Sequence, residues 1–175
     1  NIALSLHHAG IKVMGTSPIM IDKAEDREKF SSMLDKLGIQ QADWAELQSP
    51  KDAIRFAEKV GFPVLVRPSF VLSGAGMYVS WNADQLANYL VESGSDEHTK
   101  IVISKFIQGG REIEMDGVAK DGIVKGCAIH EHIENAGVHS GDATLMLPPQ
   151  NVTEYVLNRV EDATTKIVKA LNITG

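Results

Sequence analysis

The residues Val66-Arg67-Pro68-Ser69 put an arginine at the end of an apolar run, and Ser73-Gly74-Ala75-Gly76-Met77 follows within a few positions. Glycines let backbone N–H groups come close to phosphate oxygens, and a guanidinium adds forked, charge-assisted hydrogen bonds. That is the composition of a phosphate-binding loop. An ordinary strand–turn–strand hairpin would use the same residues.

A second cluster is acidic. In a strand, Glu112, Glu114 and Asp116 share one face. Three carboxylates in a row repel one another unless solvent, cations or hydroxyl donors relieve them. The stretch therefore reads either as an exposed edge strand or as the wall of a polar cleft. In the cleft, a carboxylate would accept ribose hydroxyls or approach a metal. Further along, Gly137-Val138-His139-Ser140-Gly141-Asp142 brackets a His-Ser pair between glycines. Adjacent residues on one loop rarely supply the spatial geometry of a Ser-His-Asp triad. His130 and His132 share a strand face, but no cysteine or further histidine stands at ligand-like spacing, so a solvated face is the simpler account. Residues 24–30 read as a charged helix face, with Glu25 and Lys29 at i,i+4 spacing.

Bulk properties narrow the class. The 175 residues carry a formal net charge of -6. No basic face for a nucleic acid follows from such a balance, whereas local arginines still bind an anionic nucleotide. The one cysteine, Cys127, rules out an intrachain disulfide and reads as a small buried residue. No apolar run reaches the roughly 20 residues that span a bilayer. The chain opens without Met, shows no signal peptide and ends just after a long helical pattern, so both ends read as cut from a larger protein.

The elements that would position these clusters alternate helices with hairpins. Residues 2–8 are helical and 11–14 a short strand, together the end of a preceding α/β unit. Residues 22–37 form one amphipathic helix with Phe30, Met33, Leu34 and Leu37 on one face, stopped by Gly38. Residues 42–47 are a strand. Ser49 caps a second helix with Pro50 at its first position, ending at Gly61. Strands follow at 63–67, 78–81 and 101–106, with a helix over 83–93. Asp121-Gly122 joins two alternating runs, 112–119 and 123–133, into a hairpin. A strand at 143–147 and a helix over 153–171 complete the pattern. The order favours an α+β fold over a doubly wound parallel sheet. Neither a P-loop nor a dinucleotide fingerprint is present.

Four segments taken together, "GTSPIMIDKAEDREKF", "PVLVRPSFVLSGAGM", "ISKFIQGGREIEMD" and "EHIENAGVHSGDATLMLPP", occur in the order found in carbamoyl phosphate synthetase large chains. The chain resembles that family over nearly its whole length, and most closely its second, carbamate-phosphorylating half. Its "DATLMLPPQ" stretch is similar to the eukaryotic enzymes. Where the family has a double glycine in its phosphate loop, this chain has Ser73-Gly74.

The resemblance implies an ATP-grasp fold of two α+β lobes, truncated at its C-terminal end. It divides the chain at 1–20, the end of a pre-ATP-grasp unit; 21–60, the first part of the ATP-grasp; 61–108, the lid lobe; and 109–175, the start of the large lobe. It implies that Arg27 and Arg67 bind phosphate and act in the transfer. Ser73, Gly74 and Gly76 would form the mobile phosphate loop, Lys105 and Ile107 the adenine-side hinge, and Glu112 the ribose-binding carboxylate. Gly137, Val138, His139 and Ser140 would lie beside the nucleotide.

The implied activity is transfer of the γ-phosphoryl group of ATP to carbamate. Mg²⁺ or Mn²⁺ would be bound by residues beyond Gly175, so that the isolated chain is expected to be inactive. Implied partners are ATP and carbamate, the rest of the large chain and a glutaminase subunit or domain, with no nucleic acid and no membrane. The location implied is cytoplasmic, or mitochondrial for a urea-cycle parent. Pyrimidine, arginine and urea synthesis all remain open as the pathway. Another ATP-grasp carboxylate ligase, such as a biotin carboxylase-like enzyme, is the alternative of the same fold. A non-catalytic folding or interaction module is the alternative outside enzymes.

Overall fold

Capping residues and alternating apolar residues set the elements. The structure, a computed structural model, describes residues 2–68, 77–93, 100–138 and 140–175. The chain divides into two units: Glu25–Ile107, and a second that joins Asn1–Ala24 to Gln108–Gly175.

Helix α1 (Ala3–His8) is followed by Gly10 at φ 79°, a left-handed conformation that glycine adopts without strain. Residues 11–14, expected as a strand, pair with no strand among the described residues. Ile11 N donates to Leu6 O at 3.0 Å instead. An extended apolar run becomes a strand only when a neighbour satisfies its backbone. The single helix expected over 22–37 is two, α2 (Pro18–Glu25) and α3 (Arg27–Lys36). Between them Asp26 is extended at φ -77°, ψ 116°, and its carboxylate accepts from Lys29 N at 3.0 Å. A short acid that binds a backbone N–H three residues on caps a new helix rather than continuing the old one.

The rest of the Glu25–Ile107 unit is β1 (Trp44–Leu47), α4 (Pro50–Val60), β2 (Val64–Pro68), β3 (Tyr78–Ser80), α5 (Ala83–Glu92) and β4 (Ile101–Lys105). The strands form one antiparallel sheet in the order β1-β4-β2-β3. Ser49 caps α4 with Pro50 in its first turn, as the sequence predicts, and Asn82 caps α5. Val64, Val66, Ile101 and Ile103 lie on the sheet face that packs with Ala53, Ala57, Leu86 and Leu90, all buried. Burying a side chain such as Leu86, 0% exposed, contributes about 1.5–3 kcal/mol. By strand alternation Leu65 and Arg67 face away from these helices. Because β1 pairs with β4, with Trp44 opposite Ser104, residues 44–47 and 101–105 belong to one sheet.

In the other unit β5 (Arg111–Lys120) and β6 (Ile123–Asn135) form a long hairpin, extended by β7 (Leu145–Met146), and α6 (Glu154–Ala170) packs on β5 and β6. Asp121 and Gly122 turn the hairpin at φ 52° and 73°, the doubly left-handed turn that matches strand twist. Gly122 is needed twice over, since a Cβ there would meet Asn172 Oδ1 at 3.2 Å. Residues near the two ends of the chain are fastened together. Thr174 N donates to Thr16 Oγ1 at 2.9 Å, and Ala119 and Gly175 exchange backbone bonds at 2.9 and 3.0 Å. These bonds tie residues 16 and 174, and 119 and 175, within the unit that joins Asn1–Ala24 to Gln108–Gly175.

Candidate functional site

In the Glu25–Ile107 unit the site begins with two arginines. The Asp26 cap fixes the start of α3 and so places Arg27 in its first turn. Strand β2 carries Arg67 opposite Val102, on the face away from the hydrophobic core. Arg67 Nη2 donates to Ser104 Oγ at 3.3 Å, while Arg67 Nε is buried with no hydrogen-bond partner among the described residues. Burial, and secondarily the positive charge of Arg27, push the Arg67 pKa down. A guanidinium stays charged in a protein regardless, so burial and a like-charged neighbour both act against this cation. Two neighbouring guanidiniums, one with a buried unpartnered N–H, are the chemistry of a polyanion site.

Lys105, at the end of β4, donates through Nζ to Gly61 O and Phe62 O, both at 2.9 Å. Ile107 is 63% exposed at the last position of this unit. Ser73, Gly74 and Gly76 lie outside the described residues, as does His139.

In the other unit the acidic row on β5 is paired across the hairpin. Glu112 Oε2 accepts from Gly137 N at 3.3 Å. Glu114 Oε2 lies 3.2 Å from His132 Nε2, and Asp116 Oδ2 lies 3.5 Å from His130 Nδ1 without a hydrogen bond. The two histidines face carboxylates, so the solvated strand face expected for them is corrected. His132 is only 3% exposed and its Nδ1 is buried without a partner among the described residues. Among the described residues no three His, Cys, Asp or Glu side chains gather to hold a metal ion.

The loop after β6 is held at its neck. Glu134 accepts from Thr144 N at 2.8 Å and from Thr144 Oγ1 at 2.9 Å. The Thr144 backbone N–H, followed by lesser contacts, lowers the Glu134 pKa. Ala136 N donates to Gly110 O at 2.8 Å, and Gly137 stands at φ 113°, where a side chain would be strained. These bonds fix the segment that carries Gly137, Val138 and Ser140. Val138 is 37% exposed, and Ser140 sits in the turn that follows.

Sequence reasoning passed over Glu131. On the face of β6 opposite His130 and His132 it is 2% exposed and accepts from Gln150 N and Asn151 N, both at 3.0 Å, and from Arg111 Nη1 at 3.2 Å. Arg111 also donates to Asn151 O at 2.7 Å. A buried carboxylate must find donors, and those of Glu131 come from the 150–151 backbone and Arg111, which no neighbouring residue type announces. Cys127, expected to be buried, is exposed on the same strand.

Residues 26–175 match the family model described as the carbamoyl-phosphate synthase L chain, ATP binding domain. The chain is 54% identical over its whole length to the multifunctional protein pyrABCN of Emericella nidulans, of which it covers 8%. It is 50% identical over its whole length to the mitochondrial carbamoyl-phosphate synthase [ammonia] of Rattus norvegicus, of which it covers 12%. The chain thus spans about a tenth of the length of these relatives. Among solved structures, D-alanyl-alanine synthetase A from Vibrio cholerae superposes with a TM-score of 0.80 at 18% identity. That match covers 99% of this chain and 55% of the other. The likeness establishes the α+β ATP-grasp fold.

Proposed function

The chain belongs to the ATP-binding domain family of carbamoyl-phosphate synthase large chains, and from that premise we propose that it forms part of the site in which its parent protein transfers the γ-phosphoryl group of ATP to carbamate. The observation that carries this reading is the pair Arg27 and Arg67, with a buried, unpartnered Arg67 Nε. Phosphoryl transfer needs positioning and neutralisation of developing charge more than covalent chemistry. Arg27 and Arg67 hold the phosphates and stabilise the charge that builds on the transferred group. Ser73, Gly74 and Gly76 shield carbamate and the carbamoyl phosphate formed from it from water. Lys105 and Ile107 line the adenine side. Glu112 takes the ribose hydroxyls, exchanging its contact with Gly137 N or sharing it. Gly137, Val138, His139 and Ser140 border the nucleotide.

Mg²⁺ or Mn²⁺ would accompany ATP in the parent. The described residues offer no cluster of His, Cys, Asp or Glu for it. Turnover and a glutaminase partner belong to the longer protein. The chain by itself supplies nucleotide-binding elements. Among the described residues no helix is long and apolar enough to cross a membrane. We place the parent in the cytosol, and in the mitochondrion if it serves the urea cycle.

Isothermal titration of the chain with ADP tests the nucleotide reading. Saturable binding is expected, and a folded chain that gives no heat at millimolar ADP overturns it. ATP turnover by the full-length parent, dependent on carbamate and not on biotin or amino acids, tests the substrate.

A further inference from the structure

We propose that Ser104 is a positioning residue for the phosphate-binding arginine, an inference that rests on the nucleotide reading above. Ser104 is 4% exposed on β4, on the sheet face that carries Arg67. Its neighbours along the strand, Ile103 and Val102, are 0% and 1% exposed. Burying a hydroxyl unpaired in such surroundings is costly, so it needs a polar partner. The group here is Arg67, whose Nη2 donates to Ser104 Oγ at 3.3 Å.

The chemistry of this partner matters. A carboxylate in its place would hold the guanidinium equally well but would neutralise it. A hydroxyl accepts one N–H and leaves the positive charge whole. It also leaves Arg67 Nε buried and unpartnered, so one donor of the guanidinium is fixed by the protein and another is kept for a ligand. Arg27 adds a like charge that would tend to drive a mobile Arg67 side chain away. The Ser104 bond opposes that drift before any anion arrives. A side chain held in its binding conformation loses less entropy on binding, so the bond is expressed as affinity for the phosphate-rich end of the nucleotide.

The test compares the unsubstituted chain with Ser104→Ala and Ser104→Thr, titrated with ADP and with AMP. Ser104→Ala is expected to weaken ADP binding about tenfold, the size of a lost hydrogen bond to a charged group. AMP binding, which engages one phosphate, should change less than about twofold by comparison. Ser104→Thr keeps the hydroxyl and should restore ADP affinity. Melting temperatures measured alongside should show all three chains folded. Unchanged ADP affinity in Ser104→Ala overturns the proposal, and so does an equal loss for AMP and ADP, which would mark general loosening. If Ser104→Ala does not fold, a Ser104→Thr chain that folds but binds ADP no better than Arg67→Met overturns it too. Absence of ADP binding by the unsubstituted chain overturns the nucleotide reading itself, and is distinguishable because it precedes any substitution.

Discussion

The two units treat charge in opposite ways. In Glu25–Ile107, Arg67 has another arginine as its electrostatic neighbour and keeps a buried N–H without a partner. In the other unit, Glu112, Glu114 and Asp116 each meet a backbone N–H or a histidine, and Glu131 collects three donors. Charges closed on one another shape the chain. Charges left open destabilise it and are kept for a ligand, because a buried uncompensated ion is otherwise a cost. Three substitutions sharpen or break this contrast.

The largest effect is expected at Arg67. Arg67→Met removes an open cation while keeping much of its length. ADP affinity should fall about a hundredfold, the loss of a charge-assisted contact and its steering. The melting temperature should hold or rise, since a repelled, half-desolvated charge is gone. A clear fall in melting temperature with ADP affinity intact would reverse the assignment of this unit.

Glu131→Gln is expected to do the converse: a melting temperature lower by several degrees, with ADP affinity within about twofold. The Asn151 backbone N–H is the largest influence holding the Glu131 pKa down. Burial opposes it, and the Gln150 N–H and Arg111 reinforce it. A carboxylate whose folded pKa is depressed contributes stability that is fully present above its unfolded pKa and is lost as pH falls through the folded one. The difference between the unsubstituted and Glu131→Gln chains should therefore be complete near neutral pH and shrink below the ordinary carboxylate range. Thermal melts in a pH series measure it, and a gap that widens in acid would contradict the role.

The smallest effect is expected at Asp26, where Asp26→Ala removes the cap of α3. Loss of an N-cap costs about 1 kcal/mol, read by denaturant unfolding. Because the cap also sets the position of Arg27, ADP binding should weaken by a few-fold. Unaltered ADP affinity would separate Arg27 from the open-charge site.

Much of the fold was legible because its signals are local. Ser49-Pro50 capped a helix and Asp121-Gly122 turned a hairpin, each from a few neighbouring residues, and the helix expected over 153–171 is α6. What escaped depends on partners distant in sequence or on competing local bonds. Residues 11–14 have strand composition but no neighbour to pair with among the described residues. Asp26 sits inside a helical pattern and breaks it through one side-chain bond.

The acid–histidine contacts depend on the hairpin register. That register shifts between Arg111 and Ile113, a bulge that residue types do not announce. The site was legible in part. Arg67 at a strand end and the carboxylates on one face were visible as types, whereas Ser104 beneath Arg67 and the donors around Glu131 needed β2–β4 pairing and the 148–151 turn to be seen.

The fastening of Thr16 to Thr174, 158 residues apart, bears on the order of assembly. Residues 25–107 are continuous, so their sheet has all its strands as soon as residue 105 has left the ribosome. The N-terminal segment must wait for the end of α6 and the turn after it before its threonine finds its partner. Closing so long a loop is a slow, late event, and contacts of this separation are the ones that delay folding. Residues 25–107 thus have every strand of their sheet before Thr16 can meet Thr174.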